Sequence, residues 1–187
     1  MTKTILALVT AALVAAPVLA DDHQARVEAS RAAAQQLFET LRDEMQAAVQ
    51  TGGPVAAVEI CHDKAQALTK KISDERGWRV ARTSHKVRSA KNAPDAWETG
   101  VLEQFQKRKA AGEPLETMEH FAVVEEGGKK SFRYMKAIPM GGVCANCHGP
   151  KLKPEVVQKL DQYYPDDKAR GFQVGDLRGA FTITQPM

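Results

Sequence analysis

The sequence predicts an α+β protein, in which helices come first and a small antiparallel sheet follows. Residues 24–50 repeat apolar side chains at steps of three and four, which is the period of an amphipathic helix. Residues 118–138 instead contain two strand-like runs on either side of Gly127–Gly128, a pattern typical of a β-hairpin. Helices followed by paired strands indicate an α+β fold, and 187 residues are enough for one domain with a core of its own.

The first twenty residues have the pattern of an export signal. Lys3 precedes an apolar run over residues 5–16, and Val18 and Ala20 are small residues at the two positions that a signal peptidase reads. The run is too short to cross a bilayer comfortably, although an uncleaved anchor is the alternative. We expect a signal peptide over residues 1–20. In a Gram-negative bacterium the cleaved protein would be periplasmic, with no membrane span.

Residues 21–187 are expected to form a single domain, whose helical N-terminal part covers residues 22–76. Thr51-Gly52-Gly53 interrupts the first helix, and Pro54 suits the first turn of a second one. The apolar face of the first helix contains Val27, Ala34, Leu37, Phe38, Leu41, Met45, Ala48 and Val49. The apolar face of the second helix contains Val58, Cys61, Ala65, Leu68 and Ile72, and Gly77 is the expected stop.

The second half of the chain contains the strands and shorter helices. A strand is expected over residues 78–84, and Asp95–Glu98 is a capping signature that begins a helix ending near Gly112. The hairpin strands follow over residues 118–124 and 131–138. A short helix over residues 155–160 and a last strand over residues 177–184 complete the predicted order.

The composition argues against a nucleic-acid partner, and it includes an odd number of cysteines. With 26 Lys and Arg against 23 Asp and Glu, the charge is close to balanced, so no nucleic-acid partner is expected. Three cysteines cannot all form disulfide pairs, so at least one thiol has another role.

Two of these cysteines lie in Cys144-Ala145-Asn146-Cys147-His148, the C-x-x-C-H signature of covalent haem c attachment. Two thiols at this spacing reach the two vinyl groups on one edge of the porphyrin, and the adjacent histidine is an axial ligand of the iron. One motif predicts one haem. The alternatives are a thioredoxin-type redox pair, which needs a longer helix than Gly149-Pro150 permits, and a zinc site, which needs a second ligand pair.

The sequence alone leaves the role of Cys61 open. Cys61 shares the apolar face of the second helix, so its side chain is predicted to face inward, whereas the neighbouring His62 lies about 100° around the helix on a charged side. A thiolate in this position could be the second axial ligand of a haem iron. A small buried hydrophobic residue is an equally good interpretation.

Basic residues cluster around the first predicted strand, at Arg76, Arg79, Arg82, Lys86, Arg88 and Lys91. Arg82 and Arg88 are our candidates for pairing with the haem propionates, which are carboxylates at the edge of the ring. Docking of an acidic redox partner and a solvated basic face are the alternative interpretations.

Several short motifs together resemble a known family, and the match covers roughly residues 55–186. The motifs, in order, are Glu59-Ile60-Cys61, Arg82-Thr83-Ser84, the run from Asn92 to Glu98, the C-x-x-C-H motif, Gly171-Phe172 and the run from Gly175 to Ala180. This order is similar to the single-haem, PAS-like c-type cytochromes first recognised as a domain of unknown function in cyanobacteria. The chain departs from the pattern at Ser89-Ala90-Lys91, where an Asn-Pro pair is expected before Asn92.

The resemblance implies a PAS-like sheet with a long N-terminal helix and one covalent haem c, whose axial ligands are His148 and Cys61. A His/Cys-ligated haem would suit a redox or gas sensor that binds NO or CO when reduced, because an anionic thiolate stabilises ferric iron and is weakened on reduction. A low-potential electron-transfer cytochrome is the alternative, and a peroxidase-like enzyme is the third choice. A sensor without an output module of its own would need a periplasmic redox or signalling protein as its partner.

Overall fold

The computed structural model describes residues 16–187, and it begins within a long N-terminal helix. This helix, α1, spans Ala16–Asp63, and α2 follows over Ala65–Arg76. The signal peptide predicted over residues 1–20 lies mostly outside the described residues. No helix in the described part of the chain is long and apolar enough to span a membrane.

Helix α1 consists of two parts that meet at the predicted break. Gly52 and Gly53 have non-helical backbone angles, with φ of 69° and ψ of −166° at Gly53, and Pro54 begins the second part. The predicted second helix differs in one respect, because a turn at Lys64 separates the end of α1 from α2. The separation is slight, since the Lys64 amide still donates to the Ile60 carbonyl and the Leu68 amide to the Lys64 carbonyl, each at 2.9 Å.

Four antiparallel strands form a single sheet in the order β1-β4-β3-β2. Their bounds are Arg79–Thr83 for β1, Glu119–Glu126 for β2, Lys129–Pro139 for β3 and Leu177–Pro186 for β4. The predicted hairpin is formed by β2 and β3, joined at Gly127–Gly128. The predicted α+β fold with a small antiparallel sheet and a long N-terminal helix is therefore confirmed.

Helices cover both faces of the sheet. On one face, α1 and α2 pack against β1, β3 and β4 through buried residues that include Leu37, Ile72, Val80, Tyr134 and Ile183. Phe38, which the helical pattern had placed on the apolar face, is 41% exposed and packs edge-on against Phe181. On the other face lies α3, Ala96–Ala110, through Val101, Leu102 and Phe105.

Helix α3 begins at the predicted capping box. The Asp95 carboxylate accepts from the Glu98 amide at 2.8 Å, and the Glu98 carboxylate accepts from the Asp95 amide at 3.2 Å. Glu98 also reaches into the core, where it accepts hydrogen bonds from Arg79 at 2.9 Å and Thr182 at 2.8 Å. The buried charge thus fixes α3 on the sheet, because a paired carboxylate in the core holds its partners in one arrangement.

The segment between β3 and β4 contains the C-x-x-C-H motif. The short helix α4 spans Ala145–His148 and α5 spans Pro154–Tyr163. Met140 follows β3 and exchanges backbone hydrogen bonds with the loop before β4, since its amide donates to Asp176 and its carbonyl accepts from Gly175. The motif therefore lies in a long excursion whose two ends are tied together beside the sheet.

Candidate functional site

The C-x-x-C-H motif forms one helical turn, from Cys144 to His148. The His148 amide donates to the Cys144 carbonyl at 2.9 Å, and the Gly149 amide donates to the Ala145 carbonyl at 3.0 Å. The turn lies between two apolar clusters: Cys144 packs beside Met140 and Phe172, whereas Cys147 packs beside Val58 and Leu160. All three predicted attachment residues are thus held together by local hydrogen bonds and by contacts on two sides.

His148 is oriented by a single strong hydrogen bond. Its Nδ1 lies 2.7 Å from the carbonyl oxygen of Ala169, and because a carbonyl can only accept, Nδ1 carries the proton. Burial lowers the pKa of His148 well below its usual value, and the charges of Arg178 and Arg88 lower the pKa further. The imidazole is therefore neutral at pH 7, and its Nε2 presents a free lone pair to a metal ion.

Arg88 and Asp167 hold the loop whose Ala169 carbonyl accepts the hydrogen bond from His148. The Arg88 guanidinium donates to the carbonyls of Cys147 and Ala169, and its Nε lies 3.2 Å from the Asp167 carboxylate. Arg88 was predicted from sequence as a partner of haem propionates. In the structure its guanidinium already contacts the Cys144–His148 turn, the Ala169 loop and a buried carboxylate.

Cys61 lies near the same turn, in the second part of α1. Val58, one helical turn earlier, belongs to the same apolar cluster as Cys147, and the thiols of Cys61 and Cys147 are close enough for their charges to interact. The inward-facing position predicted for Cys61 is wrong in one respect, because the residue is solvent-accessible and is not packed as a core side chain.

Although it is accessible, Cys61 is surrounded by protein on most sides. Burial is the main cause that raises the pKa of the Cys61 thiol, whereas the nearby guanidiniums of Arg82 and Arg88 lower the pKa and so favour the thiolate. The next residue, His62, pairs with Asp63 at 2.7 Å and stacks on Tyr163, which packs in the same cluster as Cys147.

Arginines give the site a positive charge that nearby carboxylates do not balance. Burial lowers the pKa of Arg178 to about 10, and repulsion from Arg88 and Arg82 contributes to the lowered pKa. Within residues 16–187, neither Arg82 nor Arg178 forms an ion pair, and the buried Nε of Arg178 has no hydrogen-bond partner. Cationic groups at this depth are costly unless they meet an anion, so the arrangement suits a ligand that carries carboxylates.

Arg178, Asp167 and Ala169 also belong to the site, although they were not predicted from the sequence as site residues. Arg178 lies on β4 and reaches the site only because β4 pairs with β1, with the Cα partners Arg82 and Phe181 in register. The run from Gly175 to Ala180, which contributed to the family resemblance, was the available signal for Arg178. No local motif marks Ala169, whose contribution is a backbone carbonyl.

The fold and the site together define a small α+β protein, in which a four-stranded antiparallel sheet leads into a Cys-x-x-Cys-His turn and a thiol-bearing helix packs beside that turn. Residues 21–186 match the protein family described as Tll0287-like, and the chain therefore belongs to that family.

A solved structure supports the same relationship. The chain is similar to the structure described as "Crystal structure of the cyanobacterial heme-protein Tll0287", with a TM-score of 0.61 and 24% sequence identity. The match covers 89% of this chain and 96% of the cyanobacterial one, and it establishes a shared fold. A comparison with curated proteins found no match. The resemblance stated from sequence is confirmed by the family and by the structure.

Proposed function

We propose that this chain is a c-type haem protein with one haem, attached through thioethers to Cys144 and Cys147. The observation that carries the proposal is the His148 imidazole, which is neutral and has its proton on Nδ1, next to two cysteines in one helical turn. A neutral imidazole with a free Nε2 is the donor that a haem iron requires, and a bound haem supplies one-electron redox chemistry. The cyanobacterial relative, described as a heme-protein, supports the same assignment.

The second axial ligand in this proposal is the Sγ atom of Cys61. Its support is the accessibility of the thiol, its nearness to Cys147 and the guanidiniums of Arg82 and Arg88, which offset part of the rise in pKa that burial causes. These features argue against the interpretation of Cys61 as a packed hydrophobic residue. Arg82 and Arg178 are the proposed partners of the haem carboxylates, because both guanidiniums lack an acidic partner in the described part of the chain.

The proposed activity is redox or gas sensing in the periplasm. The Cys61 thiolate stabilises the ferric state. If a donor protein delivered one electron to a bound haem, Cys61 would take up one proton from solvent as a thiol, and a small gas such as NO or CO could then bind in its place. The part of α1 that carries Cys61 is joined to the longer part at the Gly52–Gly53 kink, which provides a route by which this change reaches the N-terminal helix.

The alternative function is a low-potential electron carrier. A carrier keeps both axial ligands in both oxidation states, so that little structure changes when the electron is transferred. The site contains the same residues in either case, and only the behaviour of Cys61 on reduction distinguishes the two functions.

Haem retention, gas binding and electron exchange test the proposal. Haem that stays on the polypeptide after denaturation and an acid–acetone wash is expected for the wild type, and its loss is expected for Cys144→Ala with Cys147→Ala. Haem that washes off the wild type would reject covalent attachment. CO or NO binding to the reduced protein is expected for a sensor. Fast electron exchange without gas binding would favour the carrier.

A further inference from the structure

Ala169, whose carbonyl accepts the hydrogen bond from His148 Nδ1, is held through both of its backbone polar groups. The Ala169 carbonyl accepts from His148 Nδ1 at 2.7 Å and from the Arg88 guanidinium at 3.3 Å. The Ala169 amide donates to Asp167 Oδ1 at 2.8 Å. Ala169 is completely buried, so water does not replace these contacts: Asp167 holds the amide, and Arg88 shares the carbonyl with His148.

Asp167 is the centre of this arrangement. Its side chain is 1% exposed, and its Oδ2 accepts from Arg170 Nε at 2.8 Å and lies 3.2 Å from Arg88 Nε. Burial by itself raises the pKa of Asp167, but the hydrogen bond from Arg170 and the charge of Arg88 bring the pKa below its usual value. The carboxylate is therefore ionised and ties together the Ala169 loop and the Arg88 side chain.

We infer that Asp167 and Arg88 are positioning residues for His148, which act through the Ala169 peptide and set how strongly the imidazole binds the iron. The inference rests on the proposed function, because it concerns the ligand strength of His148 in the haem-loaded protein. The physical basis is that the partner of the outer ring nitrogen fixes the orientation of a ligating histidine and tunes its basicity. A stronger acceptor at Nδ1–H makes the imidazole more electron-rich.

The two residues act on the haem midpoint potential in opposite directions. An electron-rich imidazole stabilises ferric iron and lowers the potential. Removal of Asp167 frees the Ala169 backbone to move, which weakens the hydrogen bond from His148 to the Ala169 carbonyl. It also removes a negative charge, and both changes raise the midpoint potential. Removal of Arg88 frees the Ala169 carbonyl to accept more strongly from His148 and also removes a positive charge, and both changes lower the potential.

The chain contains a matched control for Asp167. Asp161 also pairs with Arg170, at 2.6 Å, but its side chain is exposed and has no bond to Ala169. Asp161→Asn therefore removes one of the carboxylates that pair with Arg170, and it leaves the Ala169 carbonyl in place as the hydrogen-bond acceptor of His148. Arg88→Lys is a second control, because lysine keeps the charge but a single ammonium lacks the planar fork with which Arg88 reaches its several partners.

The experiment measures the midpoint potential of the haem-loaded variants by spectroelectrochemistry, together with hydrogen exchange over residues 164–172. Asp167→Ala is expected to raise the potential, Arg88→Gln to lower it, and Arg88→Lys to lower it by less. Amide exchange of the Ala169 peptide should become about tenfold faster in Asp167→Ala, as one lost hydrogen bond implies. Asp161→Asn is expected to leave both quantities close to wild type.

Two outcomes would overturn the inference. If Asp167→Ala and Asp161→Asn have the same potential, the Ala169 peptide does not transmit an effect. If Arg88→Lys equals wild type while Arg88→Gln is shifted, charge alone acts and Arg88 has no positioning role. Haem content, measured on every sample, separates this inference from the proposed function, since a wild-type chain without covalent haem rejects the proposed function itself.

Discussion

The Nδ1 atom of His148 donates a 2.7 Å hydrogen bond to the backbone carbonyl of Ala169, a residue 21 positions later in the chain. This bond decides which ring nitrogen carries the proton and therefore which one is free to bind a metal ion. It also joins the Cys144–His148 turn to the loop before β4, where the Phe172 amide donates to the His148 carbonyl at 3.0 Å. The position of the candidate ligand thus depends on long-range contacts as well as on the motif.

Gly149, which follows His148 directly, is expected to tolerate no side chain. A Cβ atom at this position would lie 2.6 Å from the Ala145 carbonyl oxygen, which belongs to the backbone of the same turn and cannot move aside cheaply. Gly149→Ala should lower the free energy of unfolding by about 1–3 kcal/mol, as other overpacked sites do, and should reduce the haem content. Gly142→Ala is the control, since a Cβ there meets nothing within 4 Å. Equal stability of the two variants would contradict this account.

Gly53 is expected to be required at the kink of α1. Its backbone, with φ of 69° and ψ of −166°, lies in a region that essentially only glycine adopts. Gly53→Ala should cost about 1–3 kcal/mol in denaturant unfolding and should alter the ferric absorption spectrum, because the part of α1 that carries Cys61 is turned. Gly100→Ala, inside α3 with open space around it, should instead stabilise the protein by up to about 1 kcal/mol. If Gly53→Ala left the free energy of unfolding unchanged, the kink would not require the backbone angles that glycine allows.

Glu119 links α1 to the sheet and makes the stability depend on pH. Its carboxylate accepts from Arg31 and from the Tyr134 hydroxyl at 2.7 Å. The hydrogen bond from Arg31 lowers the pKa of Glu119 below the ordinary value of 4.5, against the opposing effect of burial. The ionised form is thus favoured by folding, so the stabilisation is complete above about pH 5 and is lost as the pH falls through the lowered pKa.

Glu119→Gln should therefore destabilise the protein by about 1–2 kcal/mol at pH 7, and the difference from wild type should shrink below about pH 4.5. Unfolding by urea, measured between pH 3 and pH 7 (roughly the range over which a carboxyl titrates), checks this expectation. Glu116→Gln is the control, because Glu116 is an exposed glutamate in the same region. A difference that persists undiminished at low pH would argue against the ionised carboxylate as the source of the stability.

Local patterns predicted much of the fold, because the features concerned depend on neighbours in sequence. The capping box of Asp95 and Glu98, the break at Gly52–Gly53 and the hairpin at Gly127–Gly128 each involve residues within a few positions of one another. The C-x-x-C-H turn is local in the same sense. Phe38 departed from its predicted burial, because the apolar stripe of α1 is wider than the face that the sheet covers.

The remainder of the site could not be predicted, because it depends on contacts between distant parts of the chain. Arg178 comes near Arg82 only through the pairing of β4 with β1, and Asp167 meets Arg88 across 79 positions. The accessibility of Cys61 likewise depends on how the end of α1 packs against α5. Helical periodicity places Cys61 beside Val58 but does not show that Val58 is buried while Cys61 remains accessible.

The most direct test of the proposed haem site is the ferric EPR and optical spectrum of Cys61→Ala beside that of wild type. The wild type should give a low-spin spectrum with thiolate character, and Cys61→Ala should give a changed spectrum while its haem remains covalently attached. His62→Ala, one residue further along α1, is the comparison variant, because it changes the neighbouring side chain of the same helix and leaves the Cys61 thiol in place. Identical low-spin spectra for wild type and Cys61→Ala would contradict the assignment of Cys61 as an iron ligand.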